Sequence, residues 1–236
     1  MSASDYDLAA AGRAIADPAR AAMLLRMMDG QAHTARDLAA AARLRPSAAT
    51  AHLRRLVDAR LVTVVASGRQ RLHALSGPEV ATAIEALAAI SPLLPVESLR
   101  AAQSGSQLQL ARACYSHLGG ALSVAIGELL VADGIVDPLL AGEAGRVRTL
   151  DHPLLNALAI SGLPDGSGAA VRGCLDWTEG TPHLAGKLGS AILSALLGEM
   201  WLQRRPKDRA LNITELGYAR LDELGLSLDA GASRAA

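Results

Sequence analysis

Cys114, His117, Cys174 and His183 are the side chains of this sequence best suited to holding a metal ion. Thiolate and imidazole are the donors that tetrahedral Zn(II), or another transition metal of similar softness, takes. Cys114 and His117 are three positions apart, a spacing that puts both on one face of a helix. Cys174 and His183 follow, with Asp176, Trp177 and Glu179 between them. The same residues admit other chemistry. Cys114 and Cys174 could form a thiol switch if one were held as thiolate, and a buried free Cys often packs as no more than a small apolar group. Arg112 and Arg172 could clamp a carboxylate or phosphate of a small organic effector, in a pocket with Asp176, Trp177 and Glu179. They suit structural ion pairs with those acids equally well, and Trp177 suits a core position.

A second group of residues has a different use. Positions 43 to 71 carry seven arginines (43, 45, 54, 55, 60, 69 and 71) against one acid, Asp58, a local net of +6. A solvated helix face normally interleaves both signs, so this patch reads as a footprint for a polyanion. The overall charge of zero hides it: residues 1 to 100 sum to +3 (12 Arg, 9 Asp or Glu) and the remainder to −3 (11 basic, 14 acidic).

These residues must be positioned by the elements around them. A first helix is expected from about residue 5 to 16. Asp17 caps a second, with Pro18 in its first turn and Gly30 just past its end. Thr34 caps a third, and Pro46-Ser47 starts a fourth. In the fourth, Ala49, Leu53, Leu56 and Val57 face inward, which turns Ser47, Thr50, His52, Arg54 and Arg55 outward or to the flanks. LVTVVA and RQRLHAL then form a hairpin around Ser67-Gly68. Two helices about a tight turn followed by a two-stranded wing are the plan of a winged helix-turn-helix. A fifth helix, about 77 to 90, is apolar on more than one face, as a dimer-forming helix is.

SPLLPVES and AAQSGSQ break the pattern. They divide the chain into a DNA-binding and dimerisation domain (1–95), a linker (96–107) and a sensor or effector domain (108–236). The last contains an internal repeat: Arg112-Ala-Cys114 and HLGGALSVAIGELL stand against Arg172-Gly-Cys174 and HLAGKLGSAILSALL. The fold class expected is mainly α with small β wings (α+β), the C-terminal domain mostly helical and pseudo-twofold. A pseudo-twofold arrangement would bring both Cys and both His together.

Composition narrows the setting. Half of the 236 residues are apolar, with no Phe, two Trp and three Tyr, so the core is built from Leu, Ala, Val and Ile and favours helices. No apolar run reaches the ~18 residues that span a bilayer. The start, MSASDYDL, is unlike a secretion signal, and two cysteines do not make a disulfide framework. A cytoplasmic protein without membrane partners is expected.

AIADPAR (14–20), LAAAARLRPSAATAHLRRLVDARLV (38–62) and SGRQRLHAL (67–75) resemble the ArsR/SmtB family of bacterial repressors over roughly the first 95 residues. The resemblance implies a homodimeric winged-helix repressor that binds double-stranded operator DNA and is released by a metal or another effector. The family's recognition helix commonly runs from a Ser/Thr-rich turn into His-His-Leu-Lys. Ser47, Thr50, His52 and Arg54 hold matching positions, and Ala51 replaces one histidine. Arg45, Ser47, Thr50, His52, Arg54 and Arg55, with Arg69 and Arg71 of the wing, are the expected DNA contacts. Two departures matter. The family's thiolate site lies in the third helix, yet RDLAAAARL has no Cys. Its other site uses His and acids of the fifth helix, yet GPEVATAIEALAAI has no His. A metal sensor of this kind would have to use the second half.

Two rival functions stand beside the regulator. An enzyme using the winged helix only to dimerise would be a methyltransferase or a metallohydrolase with Glu179 as base. It would need a site such as a glycine-rich turn after a strand, and Asp165-Gly-Ser-Gly follows no apolar strand. A ligand-free interaction domain is the other.

Overall fold

The structure, a computed structural model, describes residues 7–92 and 99–228. It divides into two compact units, Met1–Ile84 and Glu85–Ala236. Of the stretch expected as a linker, 96–98 lie outside the described residues and 99–107 lie within a helix.

In the first unit, helix starts follow the capping residues. α1 (Leu8–Ile15) begins at Asp7, whose side chain accepts from Ala10 N at 2.9 Å. α2 (Pro18–Met27) begins at Asp17, which accepts from Arg20 N at 3.0 Å, with Pro18 at the position that needs no N–H. β1 (His33–Thr34) leads into α3 (Ala35–Ala41), which starts with a capping box between Thr34 and Asp37. α4 (Pro46–Asp58) follows a tight turn in which Arg43 takes φ 54° and Leu44 N donates to Ala39 O at 2.8 Å. β2 (Val62–Ser67) and β3 (Gln70–Leu75) pair antiparallel from Val62↔Leu75 to Ser67↔Gln70, with Gly68 at φ 58° in the tip. β1 adds to the far edge of β3, giving the order β1-β3-β2, a third strand beyond the expected hairpin.

The core of this unit is Met23, Leu24, Met27, Leu38, Ala39, Ala49, Leu53, Leu56 and Val62, all buried. Burying nine such side chains is the main stabilising term. Arg20 is buried among them without being orphaned: Nε donates to Ala14 O at 2.5 Å and Nη2 to Arg13 O at 2.8 Å.

α5 (Pro78–Ile90) belongs to the first unit through Ile84 and to the second from Glu85. The second unit then runs α6 (Leu99–Leu110), β4 (Arg112–Cys114), β5 (His117–Gly119) and α7 (Ala121–Ala132). After β6 (Ala144–Gly145) and α8 (Pro153–Ala157) come β7 (Val171–Leu175), β8 (Pro182–Ala185) and α9 (Gly186–Gly198). β9 (Leu202–Arg204), β10 (Leu211–Ile213) and α10 (Glu215–Glu223) complete it. It holds more strand than the sequence leads one to expect: β4 pairs β5, β6-β7-β8 form a sheet, and β9 pairs β10, all antiparallel.

The apolar faces of α7 and α9 fill the centre, through Leu122, Ile126 and Leu130 on one and Leu188, Ile192 and Leu196 on the other. α9 lies against β5 as well as against its own hairpin, and α7 lies against β8. Gly189 permits that approach: a Cβ there would stand 2.4 Å from Leu184 O and 3.4 Å from His117 Cβ. Gly120, at φ 92°, starts α7 where a Cβ would meet Gln109 O at 2.5 Å.

Candidate metal centre

Cys114 and His117 lie on a hairpin, contrary to the helical face expected from their spacing. β4 and β5 are joined by Tyr115 and Ser116, with Tyr115 at φ 56°, and Cys114 and His117 are direct partners in the register. A separation of three serves a two-residue turn as well as one turn of helix. Cys174 and His183 are direct partners in the β7–β8 register. Each hairpin therefore presents one Cys beside one His.

The two pairs converge. Cys114 Sγ is 4.0 Å from Cys174 Sγ, and His117 Nε2 is 3.0 Å from His183 Nε2. A tetrahedral ion bound at ~2.3 Å by sulfur and ~2.0–2.1 Å by nitrogen sets its sulfurs ~3.8 Å and its nitrogens ~3.4 Å apart. Both separations meet that within a few tenths of an ångström. A fifth side chain joins them: the ligating atoms of Glu85, Cys114, His117, Cys174 and His183 all lie within 4.8 Å of one another. Glu85 was not among the residues singled out in the sequence. The signal for it was a lone acid in the middle of the apolar stretch of α5.

Asp176 is the hub behind the cluster. Its side chain and that of Arg112 have no exposed surface and pair at 2.8 Å, while Asp176 Oδ2 is 3.0 Å from His183 Nδ1. Gly120 N donates to the same oxygen at 2.8 Å, and Oδ1 accepts from Thr178 N and Oγ1. With Nδ1 engaged, His183 Nε2 is the atom aimed at the cluster.

Charge is shared unevenly. The hydrogen bond from the Cys114 thiol, reinforced by both imidazoles against the effect of burial, holds Cys174 far below an ordinary thiol, as a thiolate. Burial pushes Cys114 well up, so it keeps its proton. Burial alone would lower His183, but Asp176 and Cys174 outweigh it and raise it to about 9. Burial lowers His117. Burial, with the Cys174 charge, pushes Glu85 up to about 7. Burial opposes ionisation of Asp176, yet His183 and Arg112 keep it well below the carboxylate range. Once Cys114 and His183 give up their protons, two thiolates and two neutral imidazoles form a donor set that fits a borderline-to-soft divalent cation.

The residues expected to hold an organic effector are placed otherwise. Arg112 is spent on Asp176, donates to Leu108 O at 3.1 Å and stacks 4.8 Å over the Trp177 ring. Arg172 is exposed and donates to Gly142 O at 3.0 Å. Glu179 is exposed, with Oε1 3.0 Å from Thr178 Oγ1. The two arginines do not form a clamp, because one is committed inside and the other outside.

In the first unit, Arg45, Ser47, Thr50, Arg54 and Arg55 are exposed on or at the start of α4, and Arg69 and Arg71 are exposed on the wing. His52 is half-buried, with Nδ1 3.3 Å from Asp17 Oδ1, so it faces α2. No helix among the described residues is long and apolar enough to cross a membrane.

Comparison with known proteins agrees with this anatomy. Residues 15–65 match the model of a helix-turn-helix domain. The helix-turn-helix-type transcriptional regulator YdfF of Bacillus subtilis, itself uncharacterised, is 37% identical over 206 residues, which cover 86% of this chain and 90% of YdfF. Among solved structures, the cadmium metal-sensor CMTR of Mycobacterium tuberculosis is 33% identical, at TM-score 0.33, over 39% of this chain and 94% of that one. The homodimeric winged helix-turn-helix DNA-binding domain Mb0332 of Mycobacterium bovis is 22% identical, at TM-score 0.31, over 36% of this chain and 85% of that one. On the extent of its likeness to YdfF and the matched domain, the chain belongs to the helix-turn-helix-type DNA-binding transcriptional regulators.

Proposed function

We propose that the protein is a homodimeric repressor that leaves its operator when the second unit binds a divalent transition-metal cation, Zn(II) or one of similar softness, at Cys114, His117, Cys174 and His183. The observation that carries this is the meeting of two Cys/His register pairs, from hairpins far apart in the chain, at tetrahedral spacing. The matched registers also support a duplicated origin for the two hairpins. Arg54 and Arg55 of α4 and Arg69 and Arg71 of the wing meet phosphates. Ser47 and Thr50 face base edges. His52 is engaged with Asp17 and holds α4 to α2. The exposed Leu87 and Ile90 of α5 support a dimer contact along that helix.

The test is fluorescence anisotropy of the protein on the promoter DNA beside its own gene, with and without zinc. Specific, salt-sensitive binding is expected, weakened at least ~10-fold by zinc, within the usual range of allosteric coupling, and unaffected by zinc in the Cys114→Ser, Cys174→Ser variant. Binding no better than to random DNA, or indifferent to zinc, contradicts the proposal.

The 4.0 Å approach of the two sulfurs favours a second reading, a disulfide switch. Loss of DNA binding on mild oxidation of the metal-free protein, with no response to zinc, would select it.

A further inference from the structure

Glu85 brings a buried carboxylate into this cluster. Its neighbours toward the start of α5, Ala81 and Ile84, are buried apolar residues, and an acid among them is costly unless something takes its charge. The two oxygens have different surroundings. Oε1 lies 3.6 Å from Arg209 Nη1, an ion pair in which both side chains are about nine-tenths buried. Oε2 turns the other way, 2.8 Å from Cys114 Sγ and 3.0 Å from Cys174 Sγ. One oxygen is held by a cation of the protein, and the other is aimed at the two sulfurs.

We propose that Glu85 is the fifth ligand of the metal centre and the residue through which metal occupancy reaches α5, an inference that rests on the four Cys and His residues binding a metal. Two donors on opposite sides of an ion bound at ~2.0–2.3 Å stand no more than ~4.6 Å apart. The five ligand atoms already lie within 4.8 Å of one another, so five-fold coordination needs a contraction of a few tenths of an ångström. The exchange is balanced and involves no electron transfer. The S–H bond of Cys114 and the Nε2–H bond of the charged His183 break, their protons and any carried by Glu85 pass to water, sulfur–metal and nitrogen–metal bonds form, and Oε2 exchanges its contact with the thiol for a bond to the cation. Arg209 stays beside Oε1, its charge favouring the ionised carboxylate. Because Glu85 is continuous with residues 78–84 of the first unit along α5, pulling its carboxylate onto an ion acts on the helix that leads into the winged helix. The other four ligands sit on hairpins with no such continuity.

Cobalt(II) is the probe, on the full-length protein. Wild type should bind one Co(II), with sulfur-to-cobalt charge-transfer bands and the weak visible bands of a five-coordinate ion. Glu85→Gln should keep the charge-transfer bands but acquire the stronger visible bands of a four-coordinate ion. Its metal-induced loss of DNA affinity should shrink from ~10-fold to under ~2-fold. X-ray absorption of the zinc-loaded wild type needs no variant and should count two sulfurs with three nitrogen or oxygen neighbours. Identical cobalt spectra with an undiminished DNA response in Glu85→Gln, or two sulfurs with only two lighter neighbours in wild type, overturn the proposal while leaving the four-ligand site intact. Failure of wild type to bind cobalt or zinc at all overturns both.

Discussion

Asp176 Oδ2 lies 3.0 Å from His183 Nδ1, and neither side chain has any exposed surface. A carboxylate behind a ligating histidine fixes the tautomer and ring orientation, and removing it typically costs ~10–100-fold in metal affinity. Asp176→Asn should weaken zinc binding by that amount in competition with a colorimetric chelator. Nitrogen-15 NMR should also show that His183 Nδ1 has lost its charged partner. Because the change leaves Arg112 buried without its ion-pair partner, a stability loss of ~3–5 kcal/mol should accompany it. Unchanged zinc affinity would remove Asp176 from any positioning role.

Replacing Arg54 and Arg55 with Ala should weaken binding to every DNA sequence alike, because exposed arginines on this face meet phosphates. Each lost phosphate contact lowers the slope of log affinity against log salt by ~0.9. The double variant should therefore show a slope smaller by about two if both contacts are made. Anisotropy at several salt concentrations measures it, and an unchanged slope would take α4 out of the interface.

Acid should destabilise the winged-helix unit through Asp29. This buried carboxylate accepts from His33 Nε2 at 2.8 Å and Gln31 N at 2.9 Å and pairs with Arg26. Burial raises its pKa, but His33 and its other partners prevail and lower it below the usual 3.8. A group depressed in the folded state stabilises fully above its unfolded pKa and loses that contribution as pH falls through the folded one. Melting temperature should thus fall between pH 4 and lower values in wild type, and less steeply in Asp29→Asn. Parallel curves would contradict this.

Gly189→Ala should destabilise the second unit by ~1–3 kcal/mol, the usual range for overpacking. The new methyl would stand 2.4 Å from a backbone oxygen of β8, which cannot swing aside as a side chain can. Thermal melting of the metal-free protein reads it directly, and a wild-type melting temperature would show that α9 and β8 separate freely.

The first unit was legible because its signals are local. Asp17, Thr34 and Pro18 mark helix starts within a few residues of the bonds they make, and Ser67-Gly68 marks the wing tip. The inward phase of Ala49, Leu53 and Leu56 follows from periodicity alone. What stayed hidden depends on contacts between distant segments. His52 reads as a DNA contact in the helix sequence, and only the fold shows Asp17 beside it. The spacing of Cys114 and His117 does not distinguish a helix from a two-residue turn, and the hairpin was settled by pairing with β5. Arg112 and Arg172 look equivalent in the sequence, yet one is buried on Asp176 and the other is exposed. Glu85 lies 29 residues before its first thiol partner, so no motif joins them.

The most direct test of the metal centre is elemental analysis of the purified protein after zinc loading and removal of excess ion, beside the Cys114→Ser, Cys174→Ser variant treated in the same way. About one zinc per chain in wild type and almost none in the variant is the predicted result, since both sulfur ligands are lost. Equal zinc in both, or none in either, would contradict a metal site at these residues.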